Sequence, residues 1–364
     1  MKVYQVGIIG CGNISGNYLK NIPRFDNVKV AAVADLELER AQAKASQFGV
    51  PTACTVDELL ADPDIDIVVN LTIPKAHAAV SLAALRAGKH VHLEKPLAVT
   101  LEEAREVLEL SAATGLRVGC APDTFMGGGI QTCLALIESG AIGRPVAATG
   151  FMMGAGPERW HPDPAFYFQE GGGPLFDMGP YYLTAFVQLL GPIRRITGSA
   201  SISFAERTVT SAPKFGSVIP VETPTHISSV LDFESGAVAT LITSFDIKGG
   251  TDLPRIEIYG SEGTLRVPDP NTYGGPVLLR KAGSTEWNEV PLTHSWSDNS
   301  RGIAVSDLAR AVEAGTPHRA NGQLAYHVLE AMHGTLQASR DGRHYEMSSR
   351  CERPAPLPVA SEIV

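Results

Sequence analysis

The chain has 364 residues, 44% of them hydrophobic, and a formal net charge of −9. That length supports two domains with real cores, since single domains run roughly 100–200 residues. The acidic balance argues against a nucleic-acid partner, and no segment approaches the roughly 20 apolar residues of a membrane span.

The five cysteines (Cys11, Cys54, Cys120, Cys133 and Cys351) are scattered with no CxxC pair, so neither a disulfide framework nor a metal site is indicated. The early apolar run Val6–Ile9 is too short for a secretory signal and runs straight into glycines. A soluble, cytoplasmic protein is the expectation.

Residues Val3–Ile9 form a near-continuous apolar run, the pattern of a parallel strand buried on both faces. Gly10-Cys11-Gly12-Asn13-Ile14-Ser15-Gly16 follows at once and leads into a helical stretch. Glycine at 10 permits a tight turn, and glycine at 12 lets the backbone approach a pyrophosphate. The helix start then offers free N–H groups and the positive end of its dipole. Ser15 stands at the third fingerprint position, where glycine or alanine is usual, and is still small. Gly10, Gly12, Asn13 and Ile14 are therefore candidate cofactor contacts.

A second strand, Val28–Ala34, ends in Asp35, twenty residues past Ser15. An acid at that point accepts hydrogen bonds from the ribose hydroxyls of NAD and repels the 2′-phosphate of NADP. No arginine follows directly, so NAD is expected over NADP. The competing reading makes Asp35 the N-cap of a helix over Glu37–Phe48.

Strands and helices keep alternating: Ile65–Leu71, His77–Ala87, His90–Leu93, Leu101–Thr114 and Leu116–Cys120. Alternation of this kind predicts an α/β doubly wound parallel sheet. Thr72 and His77 lie just past the carboxyl end of one strand, on the rim where ligands bind in open parallel sheets. His77 equally suits a helix start. Glu94-Lys95-Pro96 stops the run His90–Leu93 on the same rim, which aims Glu94 and Lys95 at the ligand crevice. A plain surface turn is the alternative.

After residue 122 the texture changes. Helical patterns at Ile130–Ser139 and Asp177–Leu190 precede long alternating runs: Ile196–Phe204, Ile227–Phe233, Val238–Phe245, Ile256–Tyr259 and Thr264–Val267. Gly260-Ser261-Glu262-Gly263 reads as a hairpin turn. These runs predict an α+β domain with a large, mostly antiparallel sheet whose helices cover one face. Helices over Ile303–Ala314 and Gln323–Ser339 close the chain. The expected division is residues 1–122 for the dinucleotide domain, 123–353 for a substrate-binding and oligomerisation domain, and 354–364 as a proline-rich, loosely held tail. His327 and His333 flank Glu330 at spacings that do not match a zinc helix and read as helix-face residues.

These motifs resemble one family over nearly the whole chain. The glycine loop GIIGCGNIS, Asp35, the block AALRAGKHVHLEKPLAVTLEEA and GGGPLFDMGPYY at 171–182 are similar to those of the Gfo/Idh/MocA oxidoreductases. The resemblance implies a Rossmann domain, a Lys95 that orients the reacting hydroxyl, and a cis Pro96. It also implies an Asp-x-Gly-x-His pattern in the second domain. Here that pattern is Asp177-Met178-Gly179-Pro180-Tyr181, with tyrosine in place of histidine, as in the glucose–fructose oxidoreductase and dihydrodiol dehydrogenase branches.

The implied acid/base is then a phenol, a poor base at neutral pH that a nearby ammonium improves. Asp177 and Tyr181, four apart, share a helix face. Pro180 requires the helix to start close to Asp177. Tyr182 competes with Tyr181, which could also be a core residue. Trp160 and His161 are candidates to line a sugar site, with a loop anchor as the alternative for His161.

The activity implied is NAD-dependent transfer of a hydride between nicotinamide and a secondary hydroxyl of a sugar, cyclitol or glycoside. The long antiparallel run from Ile196 to Val267, with helices for only one face, predicts a homodimer or homotetramer. A glycoside-cleaving enzyme that retains NAD, or a non-catalytic sugar or cofactor sensor, are the rival readings.

Overall fold

The computed structural model describes residues 2–359. The chain divides into two units: residues up to Gly127 together with Trp296–Leu329, and Gly128–Ser295 together with the chain from Glu330 onward. The sequence expectation of one break near residue 122 differs from this division, because Trp296–Leu329 returns to the first unit. Asn27 and Ser306 make two of the ties in that return, with Asn27 Nδ2 donating to the Ser306 carbonyl at 2.9 Å and Ser306 Oγ to Asn27 Oδ1 at 2.7 Å.

In the first unit, six strands form one sheet: β1 (Tyr4–Ile9), β2 (Val28–Ala34), β3 (Thr52–Cys54), β4 (Ile67–Asn70), β5 (His90–Leu93) and β6 (Val118–Cys120). The order is β3-β2-β1-β4-β5-β6, and every neighbouring pair is parallel. All four residues of β4 are buried, the polar Asn70 at its carboxyl end included. The strand order reverses between β1 and β4, so the crevice above their carboxyl ends is the ligand position of this architecture.

Helix boundaries follow local chemistry. Thr100 and Glu103 form a reciprocal capping box at the start of Leu101–Thr114, and Gly115, with φ +71°, ends it. β3 is a three-residue strand with no sequence period, and the sequence reading passes over it.

The second unit holds a nine-stranded sheet. Its strands are β7 (Pro145–Met153), β8 (Ile193–Ser201), β11 (His226–Phe233), β12 (Val238–Ser244), β13 (Ile256–Gly260), β14 (Gly263–Val267), β15 (Val277–Lys281), β16 (Asn288–Val290) and β17 (Tyr345–Glu346). A separate ribbon pairs β9 (Glu206–Thr208) with β10 (Val218–Pro220). The large sheet is antiparallel except where β12 runs parallel to β7. Tyr259 pairs with Thr264 across the Gly260–Gly263 turn, the hairpin the sequence predicts.

Ile227, Leu231, Leu241, Ile256 and Ile258 are buried at alternate positions, which is the period-two signature of a sheet with one covered face. Helix Gly173–Leu190 packs on β7, β11 and β12. Gly150 allows that approach, since a Cβ there would lie 2.9 Å from Phe186 Cζ.

Two expectations are corrected here. Helix Gly173–Leu190 starts four residues before Asp177, with Pro174 in its first turn and Pro180 inside it. Pro174 suits a helix start, whereas Pro180 removes one backbone donor from the interior. The chain from Pro354 is also tied down. Gln188 Nε2 donates to the Pro354 carbonyl at 3.2 Å, Leu357 N donates to Gln131 Oε1 at 2.8 Å, and His294 Nε2 meets the Leu357 carbonyl at 3.1 Å. Residues 360–364 of the expected tail lie outside the described residues. Glu330 proves to be a structural tie: it accepts from Tyr345 Oη, from the backbone and hydroxyl of Ser348, and from Ser349 N.

Candidate active site

The chain leaves β1 through Gly10, whose φ of +101° and close neighbours admit only glycine. A Cβ there would sit 2.7 Å from the backbone of Leu71. Gly12 is different: it is exposed, and nothing lies within 4 Å of where its Cβ would be. That bare backbone, with Asn13 and Ile14 beside it, is the surface a pyrophosphate needs. Ser15 Oγ turns inward to donate to the Gly12 carbonyl at 2.7 Å, which shapes the loop and explains why serine serves at this position.

Asp35 does not cap the helix that follows it. The helix is Leu38–Phe48, its cap residue is Glu37, and no side chain caps it. Asp35 instead accepts from Cys11 N at 2.8 Å and from Glu37 N at 3.0 Å, which binds the end of β2 to the glycine loop. Each oxygen has a second lone pair for a ribose hydroxyl.

The rim after β4 is braced internally. Thr72 Oγ1 donates to Asn70 Oδ1 at 2.6 Å, and His77, only 1% exposed, lies between two carbonyls. Its Nδ1 is 2.7 Å from the Pro96 oxygen and its Nε2 is 3.0 Å from the Thr72 oxygen. Both nitrogens face backbone carbonyls, so His77 braces the loop after β4 against the turn at Pro96. Burial pulls its imidazole below the ordinary value, opposed by the two carbonyls and the Glu94 charge. A neutral ring can donate to only one of the two.

Lys95 sits on the turn after β5, and the Lys95–Pro96 peptide is cis, as the resemblance implies. Glu94 anchors this turn. It is 8% exposed, accepts from Tyr18 Oη at 3.0 Å and from Arg301 Nη1 at 2.8 Å, and accepts the Lys95 N–H at 3.2 Å. Burial pushes its carboxyl up, but the Arg301 guanidinium and the Lys95 charge outweigh burial and hold it below the usual range. Sequence reasoning misses Arg301 and Tyr18. Arg301 lies 207 residues away in a loop with no motif.

In the second unit, Asp177 lines a cavity of about 430 Å³ together with Trp160, Met178, Met152 and Phe245. Tyr181 follows one turn later on the same helix and is 6% exposed. Tyr182 is accounted for as a core residue: it is 1% exposed and its hydroxyl donates to the Phe151 carbonyl at 3.2 Å, with burial pushing the phenol far above its usual value. Trp160 lies 65% exposed at the cavity.

The side chain of His161 makes its contacts within its own loop. Its Nδ1 accepts from Asp163 N at 3.0 Å, and its ring meets Trp160, Phe166 and Tyr167 edge-on. The cavity also contains Arg159, which no sequence motif marks. Thus one unit assembles Gly10, Gly12, Asp35, Thr72, Glu94 and Lys95 along the carboxyl edge of its sheet, and the other pairs Asp177 with Trp160.

Comparison with known proteins agrees with this architecture. The model for the oxidoreductase family with an NAD-binding Rossmann fold, GFO_IDH_MocA, matches residues 4–121. The GFO/IDH/MocA C-terminal domain model matches residues 130–266. A 1,5-anhydro-D-fructose reductase from Ensifer adhaerens is 27% identical over 351 residues, covering 94% of this chain and 98% of the relative. A myo-inositol 2-dehydrogenase from Thermotoga maritima is 25% identical over 72% of this chain and 74% of its own. Levoglucosan dehydrogenase in complex with NADH superposes with a TM-score of 0.82 at 20% identity, covering 96% of this chain and all of that one (100%), a likeness of fold.

Proposed function

Because this chain belongs to the Gfo/Idh/MocA family of NAD-binding oxidoreductases, we propose that it moves a hydride between nicotinamide and a secondary hydroxyl of a sugar, cyclitol or glycoside. The observation that carries this reading is the Glu94–Lys95–Pro96 turn. It stands at the carboxyl edge of a parallel sheet and is fixed by Arg301, Tyr18 and His77. A lysine on so braced a turn is suited to orient a reacting hydroxyl.

The open Gly12 backbone and the forced glycine conformation at 10 fit a dinucleotide, which Gly10, Gly12, Asn13, Ile14 and Asp35 would hold. When bound, the nicotinamide supplies the hydride chemistry. The chain's own residues supply the proton and the geometry. In this reading Lys95 donates to the substrate oxygen, Tyr181 exchanges the hydroxyl proton as the acid/base, and Asp177 accepts from neighbouring hydroxyls. The names of the curated relatives, an anhydrofructose reductase and an inositol dehydrogenase, support a polyhydroxylated substrate.

The test is an NAD-coupled absorbance screen over sugars, cyclitols and methyl glycosides. Turnover forming NADH on a secondary alcohol is the expected result. A protein that binds NAD yet forms no NADH with any member of the panel would refute the dehydrogenase reading.

A further inference from the structure

Arg159 stands at the end of the short 3-10 turn Pro157–Arg159, which is held rigidly at its base. Pro157 fixes the first residue, Gly156 enters at φ +102°, and the Glu158 carbonyl accepts from Thr210 N at 2.9 Å and Ser211 Oγ at 3.3 Å. The side chain of Glu158 turns inward. There it meets Arg207 Nη1 at 3.1 Å and Lys248 Nζ at 3.3 Å, while Arg207 Nη2 meets Asp246 at 2.6 Å. Two carboxylates and two cations neutralise each other beneath the turn.

The Arg159 guanidinium is left outside that balance. It is exposed, lines the cavity that contains Asp177 and Trp160, and makes no hydrogen bond or ion pair among the described residues. The other walls are Met152, Gly154, Ala155, Gly156, Pro157, Met178 and Phe245, which carry no further charge. A guanidinium fork of this kind binds a planar oxyanion through two parallel N–H bonds.

We infer that Arg159 is a specificity-determining residue that selects substrates bearing a carboxylate, so that the preferred substrate is a sugar acid rather than a neutral sugar. This rests on the reading that the cavity at Asp177 takes the substrate. A carboxylate carries one charge, which one guanidinium matches. A phosphate monoester carries −1.5 to −2 near neutral pH and would need a second cation, where the cavity offers Asp177 instead. Trp160 supplies an apolar face for a sugar ring beside these polar groups, and a cavity of about 430 Å³ holds a monosaccharide derivative.

The test compares kcat/KM for matched acid and neutral pairs with NAD: methyl α-D-glucopyranosiduronic acid against methyl α-D-glucopyranoside, and D-galacturonate against D-galactose. The wild-type chain should prefer the acid. In Arg159→Gln the acid-to-neutral ratio should fall roughly 10- to 100-fold, the weight of hydrogen bonds to a charged group. Arg159→Lys should recover part of the ratio, because it keeps the charge and loses the fork. An unchanged ratio in Arg159→Gln, or a wild-type preference for the neutral partner, overturns the inference and leaves the dehydrogenase reading standing. If no pair is turned over, calorimetric titration of each acid into the NAD-loaded chain decides the matter separately. Acid binding that Arg159→Gln abolishes sustains the inference, with the dehydrogenase reading left to the wider substrate panel, and absence of acid binding overturns the inference.

Discussion

Replacing Arg301 by methionine tests whether the Glu94–Lys95–Pro96 turn depends on a buried ion pair. The side chains of Arg301 and Glu94 are 9% and 10% exposed, and their contact is 2.8 Å. Removing one partner of a buried pair leaves an uncompensated charge and costs about 3–5 kcal/mol. In the wild type Glu94 is held below its unfolded value, so its contribution is present above about pH 4.5 and is lost as pH falls through the folded value.

Without Arg301, burial is no longer outweighed, and the folded carboxyl should rise above its unfolded value. The sign then reverses. Between those two values the folded variant binds more protons than the unfolded chain, so its stability falls as pH rises, by about 1.4 kcal/mol per pH unit. Urea unfolding of variant and wild type at about pH 5 and about pH 7.5 should show a small penalty at the lower pH and a larger one at the higher. Turnover should fall about tenfold or more through loss of Lys95 positioning, with Arg301→Lys intermediate. A penalty that is equal at both pH values, or greater in acid, refutes the argument.

Lys95→Ala should lower kcat by about 10²–10⁴-fold while NAD affinity, read by fluorescence titration, stays near wild type; wild-type rates would make the lysine structural. NAD should bind more tightly than NADP. Asp35→Ser combined with Leu36→Arg should relax that preference, because Leu36 is 98% exposed and an arginine there reaches solvent beside the ribose position. Tyr181→Phe should keep the fold and cofactor affinity and lose most of the rate. Tyr182→Phe, which removes the hydroxyl that bonds the Phe151 carbonyl and Arg255, should cost about 1 kcal/mol of stability and little rate. Light scattering at micromolar concentration should return the mass of a homodimer or homotetramer, and a monomer mass would refute the interface expected on the open face of the nine-stranded sheet.

Much of the first unit is readable from the sequence, because strands buried on both faces print as unbroken apolar runs. β1, β2, β4 and β5 come close to this, interrupted by Gln5, Lys29, Asn70, His90 and His92, and the glycine loop and Asp35 fall at their ends. β3 escapes, since three half-exposed residues at a sheet edge carry no period. β7 escapes for a different reason: Gly150 interrupts its middle, where Phe186 leaves no room for a side chain. Helix Gly173–Leu190 is misplaced at its start by reasoning from Pro180 alone; Pro174 is the proline that marks the first turn. The return of Trp296–Leu329 to the first unit is unreadable, since its ties to Asn27, Asp123 and Glu94 are side-chain matches between distant segments.

That last gap bears on how the lysine turn works. Three bonds fix the backbone of the turn: Glu94 N to the Asn70 carbonyl at 3.0 Å, Lys95 N to Glu94 Oε2 at 3.2 Å, and His77 Nδ1 to the Pro96 carbonyl at 2.7 Å. Glu94 can make its bond only if its charge is buried beside the turn. That burial is tolerable only because Arg301 and Tyr18 satisfy the other oxygen. The motif visible in the sequence, an acid, a lysine and a proline, is therefore half of a device. Its other half arrives from residues 18, 77 and 301 and contacts the backbone and the acid. A sequence that kept Glu94-Lys95-Pro96 but lost Arg301 would carry the same motif on a turn whose acid is unpaired and whose lysine is no longer held in place.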